Sequence, residues 1–293
     1  MRTKGMVRTG VLVLILLLLT DTYAIAGGSE GSRKTCILLV AFGTSFPQAR
    51  GAFENIQQEV KKTFPETPVR WAYTSAVIRK KLARQGEILD SPETALARMM
   101  DDGFTRLAVQ SLHTIPGEEF HDLCETASAF SEMPGGLDIE VGLPLLASDG
   151  DIDRAVEAIF DIIPEERTNA DAVVLMGHGT PHPSNALYAA LMYRLQLRDP
   201  RIFVGCVEGF PRIAFLKARL MDEKIGKAFL MPFMSVAGDH ARNDLAGEDK
   251  DSWKSILTRA GITCIPVLEG TAEYDVFVDI WVDHLKQTMG RLH

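Results

Sequence analysis

The chain repeats itself. Ile37–Pro47 (ILLVAFGTSFP) and Val173–Pro183 (VVLMGHGTPHP) each run from an apolar stretch into an aromatic ring, Gly and Thr, with Pro four residues after that Gly. A second pair follows in the same order: Ala108 to Gly117-Glu-Glu-Phe, and Phe229 to Gly238-Asp-His-Ala. Duplication in fixed order restricts the fold to two units of like topology. It predicts lobes over roughly residues 33–145 and 165–293, with the acidic stretch Ser148–Thr168 crossing between them.

Apolar runs and amphipathic runs alternate along both halves. The apolar runs are Cys36–Ala41, Val69–Tyr73, Leu107–Gln110, Ile139–Val141, Val173–Met176, Ile202–Cys206, Ala228–Met231 and Thr263–Val267. Helical periodicity marks Ala52–Thr63, Pro92–Asp102, Ala155–Ile163, Asn185–Leu195, Pro211–Asp222, Trp253–Ala260 and Tyr274–Met289. Strand–helix alternation predicts an α/β fold with two doubly wound, parallel-sheet lobes. The strands are apolar throughout rather than alternating, as strands covered on both faces must be.

The first 26 residues carry a different signal. Arg2, Lys4 and Arg8 precede the apolar run Val11–Leu19, and Ala24-Ile25-Ala26 ends in small residues. That pattern predicts a cleavable secretory leader and a periplasmic protein. The apolar run is too short for a membrane span. Removing this segment, net +2 with Asp21, takes the charge from −8 to −10. Such a balance argues against general nucleic-acid binding, which needs a basic surface. Cys36, Cys124, Cys206 and Cys264 are widely spaced and form no CxxC, which is neither a zinc framework nor a dense disulfide scaffold; Cys36, Cys206 and Cys264, in apolar strand-like runs, read as buried free thiols, and the pairing of Cys124 stays open.

In open parallel sheets, ligands bind beyond the carboxyl ends of the strands. His178, Glu208 and His240 all fall there in the second half. Two imidazoles and a carboxylate suit a divalent ion such as Co²⁺, Fe²⁺, Ni²⁺ or Zn²⁺. In the first half Phe42 stands opposite His178, and Glu119 opposite His240, so the histidine pair is not a requirement of folding. Other roles stay open for each residue. A histidine at a strand end can be purely structural, His240 can pair with Asp239 or Asp244, and Glu208 can cap the helix near Pro211. His113 also sits at a strand end, a position from which it could face the same cleft. His182 reads as a supporting or exposed group, His121 as an exposed residue or an extra metal or haem ligand, and His284 and His293 as solvated.

On these residues the chain resembles the anaerobic, ATP-independent sirohydrochlorin cobaltochelatases, the CbiK family of class II chelatases. The resemblance covers nearly all of Lys34–His293. It rests on Leu38–Ser45, Val109–Glu119, Met176–Thr180, Gly205–Gly209 and above all Met231–Asp244 (MPFMSVAGDHARND). It implies a tetrapyrrole held in the cleft between the lobes. It also implies His178 and His240 as the catalytic pair, and His178, Glu208 and His240 as ligands of the metal being inserted. Phe42, Thr44, Ser45, His113 and Arg242 would contact the macrocycle.

The implied reaction is insertion of Co²⁺, with Fe²⁺ as a second candidate, into sirohydrochlorin. No nucleotide is expected, since neither GxxxxGK[ST] nor GxGxxG occurs. Sirohydrochlorin's carboxylates call for a basic rim, for which Arg50, Arg79, Lys80, Lys81, Arg84 and Arg242 are candidates; most of the Arg79–Arg84 run reads as ordinary solvated surface. Two competing readings are a periplasmic carrier of metal, tetrapyrrole or haem, and, more weakly, a metallohydrolase using His178 and His182. No stable membrane insertion is expected, and association of the chain with itself is compatible with the sequence.

Overall fold

The computed structural model describes residues 33–293; the leader read over 1–26 lies outside them. Eight strands form two four-stranded sheets in which every pairing is parallel. The first contains β1 (Thr35–Ala41), β2 (Val69–Tyr73), β3 (Arg106–Ser111) and β4 (Asp138–Gly142), in the order β2-β1-β3-β4. The second contains β5 (Ala172–Gly177), β6 (Ile202–Cys206), β7 (Lys227–Pro232) and β8 (Thr263–Pro266), in the order β6-β5-β7-β8. The two orders are the same when counted from each half's first strand, as the sequence repeat requires.

Helices α1 (Gly51–Thr63), α2 (Ala76–Ala83), α3 (Pro92–Asp101), α4 (Glu118–Glu132) and α5 (Asp149–Ile162) accompany the first sheet in sequence. With the second come α6 (Ala186–Arg198), α7 (Ile213–Asp222), α8 (Trp253–Arg259) and α9 (Asp275–Arg291), and a π-helical turn over His240–Leu245. The strand period of two divides each sheet between two cores. Cys36, Leu38 and Val40 face α3 and α4, whereas Ile37, Leu39 and Ala41 face α1. In the second sheet Val174 and Met176 face α7 and α8, whereas Val173 and Leu175 face the same large core as α1.

That large core is shared, because the last helix of each half crosses over. Helix α9 follows β8 but packs on β3, β4 and α1 of the first half. Helix α5 follows β4 but packs against α6 and α9. Residues 33–293 accordingly form one compact unit, and the boundary through 145–165 divides the sheets but not the helices that cover them.

The crossing corrects the reading of His284. It is not solvated but 5% exposed, wedged between α9 and the β4–α5 connection. Its Nδ1 lies 3.1 Å from the Leu143 carbonyl oxygen and its Nε2 3.0 Å from Asp151 Oδ1. The buried ring is thus held at both nitrogens, by a carbonyl oxygen on one side and a buried carboxyl group on the other. His293 is exposed. Among the described residues all four cysteines are free thiols, with Cys36 and Cys206 buried and Cys124 and Cys264 half-buried. No helix among those residues is long and apolar enough to cross a membrane.

Candidate functional site

A cleft of about 560 Å³ opens at the carboxyl ends of the strands and is lined from both halves. Phe42 and Thr44 enter from the end of β1, Ser75 after β2, and His113 after β3. His178 and Thr180 enter after β5, Glu208 after β6, and Met234 to His240 after β7.

Backbone bonds fix the loops of the second half against one another. The Val207 amide donates to the Gly177 carbonyl at 3.1 Å and the Glu208 amide to the His178 carbonyl at 2.8 Å. The first half repeats the arrangement: Thr74 donates to Ala41 at 2.9 Å and Ser75 to Phe42 at 3.2 Å. Ser75 is therefore the counterpart of Glu208, a correspondence that short motifs could not reveal. Gly179 makes the close approach attainable. Its φ is +78°, and a Cβ there would lie 1.5 Å from the Glu208 carbonyl oxygen. A Cβ on Gly177 would enter the Tyr188 ring at 2.4 Å.

The His178 and His240 rings face each other edge to face, with centroids 4.8 Å apart. Phe42 closes one side at 5.6 Å from His178. His178 Nδ1 lies 2.8 Å from the Gly179 carbonyl oxygen, which can only accept, so the neutral ring carries its proton on Nδ1 and its lone pair on Nε2. His240 Nδ1 lies 2.6 Å from Asp244 Oδ2, one turn along the π-helical segment, with the same consequence for its Nε2. Of the two acidic neighbours it is Asp244 that pairs with His240, and that pairing orients its other nitrogen.

Glu208 lines the cleft but is exposed. It does not cap α7, whose N-cap residue is Arg212 without a side-chain bond. Among the described residues no three His, Cys, Asp or Glu groups are grouped to hold a metal ion. The structure thus brings His178 and His240 together and leaves Glu208 in the same cleft without closing a three-ligand cage.

His113 is held by Ser111 Oγ at 2.9 Å and Thr74 Oγ1 at 3.3 Å. Burial pushes its pKa down to about 4; nearby Glu119 opposes the shift and His178 adds to it. It is a neutral, hydrogen-bonded wall of the cleft. Glu119 also lines the cleft. In the sequence it stands only as the counterpart of His240; its charge acts on the His113 ring, an effect between loops that no sequence motif carries.

Of the remaining residues, Thr44 lines the cleft, while Ser45 and Arg242 do not. Ser45 Oγ is buried without a partner. His121 lies away from the lining, its ring 4.7 Å from that of His182, which is held by Ser184 Oγ at 2.9 Å. Of the proposed basic rim, Arg50 is engaged by Glu87 at 2.7 Å, and only Lys81 lines the cleft.

A family model described as cobalt chelatase (CbiK) matches residues 35–290. The sirohydrochlorin cobaltochelatase CbiKC of Nitratidesulfovibrio vulgaris is 42% identical over 259 residues, spanning 88% of this chain and 92% of the relative. The sirohydrochlorin cobaltochelatase of Salmonella typhimurium is 35% identical over 260 residues, 87% of this chain and 97% of the relative. Among solved structures, SirB from Bacillus subtilis with Fe³⁺ aligns with a TM-score of 0.56 at 16% identity, over 88% of this chain and 98% of that one. CbiX, the terminal enzyme for siroheme biosynthesis in denitrifying bacteria, aligns at 0.52 and 17% identity, over 86% of this chain and 98% of that one. At such identities the likeness concerns the fold, that of two four-stranded parallel sheets with class II chelatase architecture. With the repeat, both sheets and nearly the whole described length accounted for, the chain belongs to the CbiK cobalt chelatase family.

Proposed function

We propose that this protein inserts Co²⁺ into sirohydrochlorin without ATP, a metallation step of cobalamin-type biosynthesis, with Fe²⁺ as an alternative metal. The observation that carries the reading is the facing His178–His240 pair, 4.8 Å between centroids, in a cleft open to a planar ligand.

The reaction must strip water from the ion, remove two pyrrole protons and pass the metal to four ring nitrogens. Both Nε2 atoms present lone pairs that can bind the ion or accept a proton near neutral pH. Asp244 steadies the charge His240 gains on protonation, at 2.6 Å from its Nδ1. An incomplete cage suits cargo that must leave: two imidazoles, with Glu208 one loop away, hold the ion less tightly than a closed structural site would. Phe42, beside His178, offers an apolar face to the macrocycle.

Purified protein mixed with sirohydrochlorin and Co²⁺ should change the visible spectrum faster than the uncatalysed mixture. His178→Ala and His240→Ala should each lose most of that rate with the fold intact. Stoichiometric binding without turnover would instead support a carrier of metal or tetrapyrrole. The second reading draws on the His121–His182 ring pair, which offers imidazoles for a metal or haem outside the cleft. Export to the periplasm through residues 1–26 is part of the proposal and rests on the basic, apolar and small-residue pattern of that segment.

A further inference from the structure

Lys81, which lines the cleft, and Arg242, two residues beyond the cleft-lining His240, are cations that no carboxylate neutralises among the described residues. Lys81 Nζ lies 5.5 Å and Arg242 Cζ 5.6 Å from the centroid of one ring, Phe46. Lys81 belongs to α2, after β2, and Arg242 to the π-helical turn after β7. The ring therefore joins a cation of the first half to one of the second. Distances of this size place each charge within cation–π range, which restrains two otherwise flexible side chains.

Some cations elsewhere in the fold are engaged, among them Arg194 by Asp149 and Asp153, Arg198 by Glu157 and Arg50 by Glu87. Lys81 and Arg242 have no ion pair among the described residues. Arg242 gives Nε to the Ala237 carbonyl at 3.2 Å, and its two terminal amino groups have no hydrogen-bond partner among those residues. Glu273 feels the Arg242 charge, but its carboxylate accepts from the Gly270 amide at 2.8 Å and makes no ion pair with Arg242. Arg79, on the same helix as Lys81, has a buried Nε without a partner. In a chain of net charge −8, abundant carboxylates could have neutralised these groups, and none does.

We propose that Lys81 and Arg242, restrained on Phe46, form a carboxylate-binding clasp that takes neighbouring peripheral carboxylates of the tetrapyrrole. The inference rests on the chelatase reading above and assigns the side of the cleft at which two of the macrocycle's peripheral carboxylates are held. The guanidinium fork of Arg242 meets one carboxylate in bidentate fashion, and Lys81 meets another as a point charge. Phe46 is a positioning residue: it acts through the two cations. Because the clasp draws on both halves, an anionic macrocycle bound there ties the lips of the cleft together and sets the ring against His178 and His240.

The test compares wild type with Lys81→Met, Arg242→Gln, the double variant, Arg242→Lys and Phe46→Leu. Two readouts are needed. One is metal-free binding of sirohydrochlorin followed by its fluorescence; the other is its KM and kcat with Co²⁺, at low and high salt. Each single substitution should weaken binding and raise KM about threefold at low salt, and the double about tenfold, with far less change in kcat. High salt should shrink the difference. Arg242→Lys should recover only part of the loss, and Phe46→Leu should resemble the double variant. A double variant that binds sirohydrochlorin as tightly as wild type, with the same salt dependence, overturns the clasp. Wild type that binds but never inserts Co²⁺, with binding still weakened by the substitutions, sinks the catalytic reading and leaves the clasp standing.

Discussion

Gly179→Ala tests whether the site depends on the backbone approach between the His178 and Glu208 loops. The new Cβ would lie 1.5 Å from the Glu208 carbonyl oxygen and 2.6 Å from both its carbonyl carbon and Cys206 Cβ. Ordinary contact needs the segments to part by roughly 2 Å. That movement breaks the Glu208 amide bond to the His178 carbonyl, now 2.8 Å, at a cost of about 1 kcal/mol. Holding alanine at φ +78° adds about 1–2 kcal/mol, and displacing packed neighbours about 1–3. A loss of about 4 kcal/mol should lower Tm by about 10 °C in a unit of this size. The assay is thermal unfolding by circular dichroism, with Co²⁺ insertion measured well below the transition. Insertion should also fall, because Glu208 no longer keeps its place beside His178. Gly290→Ala is the control: that glycine is exposed in α9 with no heavy atom within 4 Å of a Cβ, and the change should add up to about 1 kcal/mol. A Gly179→Ala protein that melts within about 2 °C of wild type and inserts Co²⁺ normally would refute the reasoning.

Asp244→Asn should cut the insertion rate about 10- to 100-fold by loosening the His240 ring, with little effect on Tm, as a rate assay beside a melting curve would show. His284→Ala should cost about 3–5 kcal/mol, since it strands Asp151 in the interior with only Ser148 as a side-chain partner; chemical denaturation measures this, and insertion in the folded fraction should persist. Acid should weaken the fold in two separable windows. His113 has a folded pKa near 4, so the unfolded chain takes up its proton first and stability falls as pH drops from about 6.5 to 4. His113→Gln should flatten that window in a pH series of denaturation midpoints. The Asp171 carboxyl, held down to about 2 by its bond to Lys227, withdraws its contribution only as pH falls from 3.8 toward that value, so Asp171→Asn should leave the upper window untouched.

The eight strands and the parallel order were legible because burial on both faces writes unbroken apolar runs into the chain. The repeat foretold that both sheets would share one strand order. The histidine pair was legible for the same reason, since one copy of the repeat shows what the fold needs and the other what it adds. Three things were hidden. Helix α2 has only eight residues, and its run of Arg79, Lys80 and Lys81 reads as plain surface, although Lys81 reaches the cleft. His284 stands on a helix whose burial comes from α5 and the first sheet, and periodicity cannot report a partner supplied by the other half. The tie between Glu208 and His178 runs through backbone atoms, on which side-chain motifs are silent.

The crossing of α5 and α9 has a bearing on how such a molecule could have arisen and how it can be cut. A chain severed between α5 and β5 would yield a front fragment that keeps α5 but lacks α9 over β3 and β4, and a rear fragment that keeps α9 but lacks α5 against α6. Mixed together the two pieces should recombine, each lending the helix the other lacks. A self-paired dimer of one half that traded its terminal helices would have the same arrangement, and fusion of two copies would make that trade permanent.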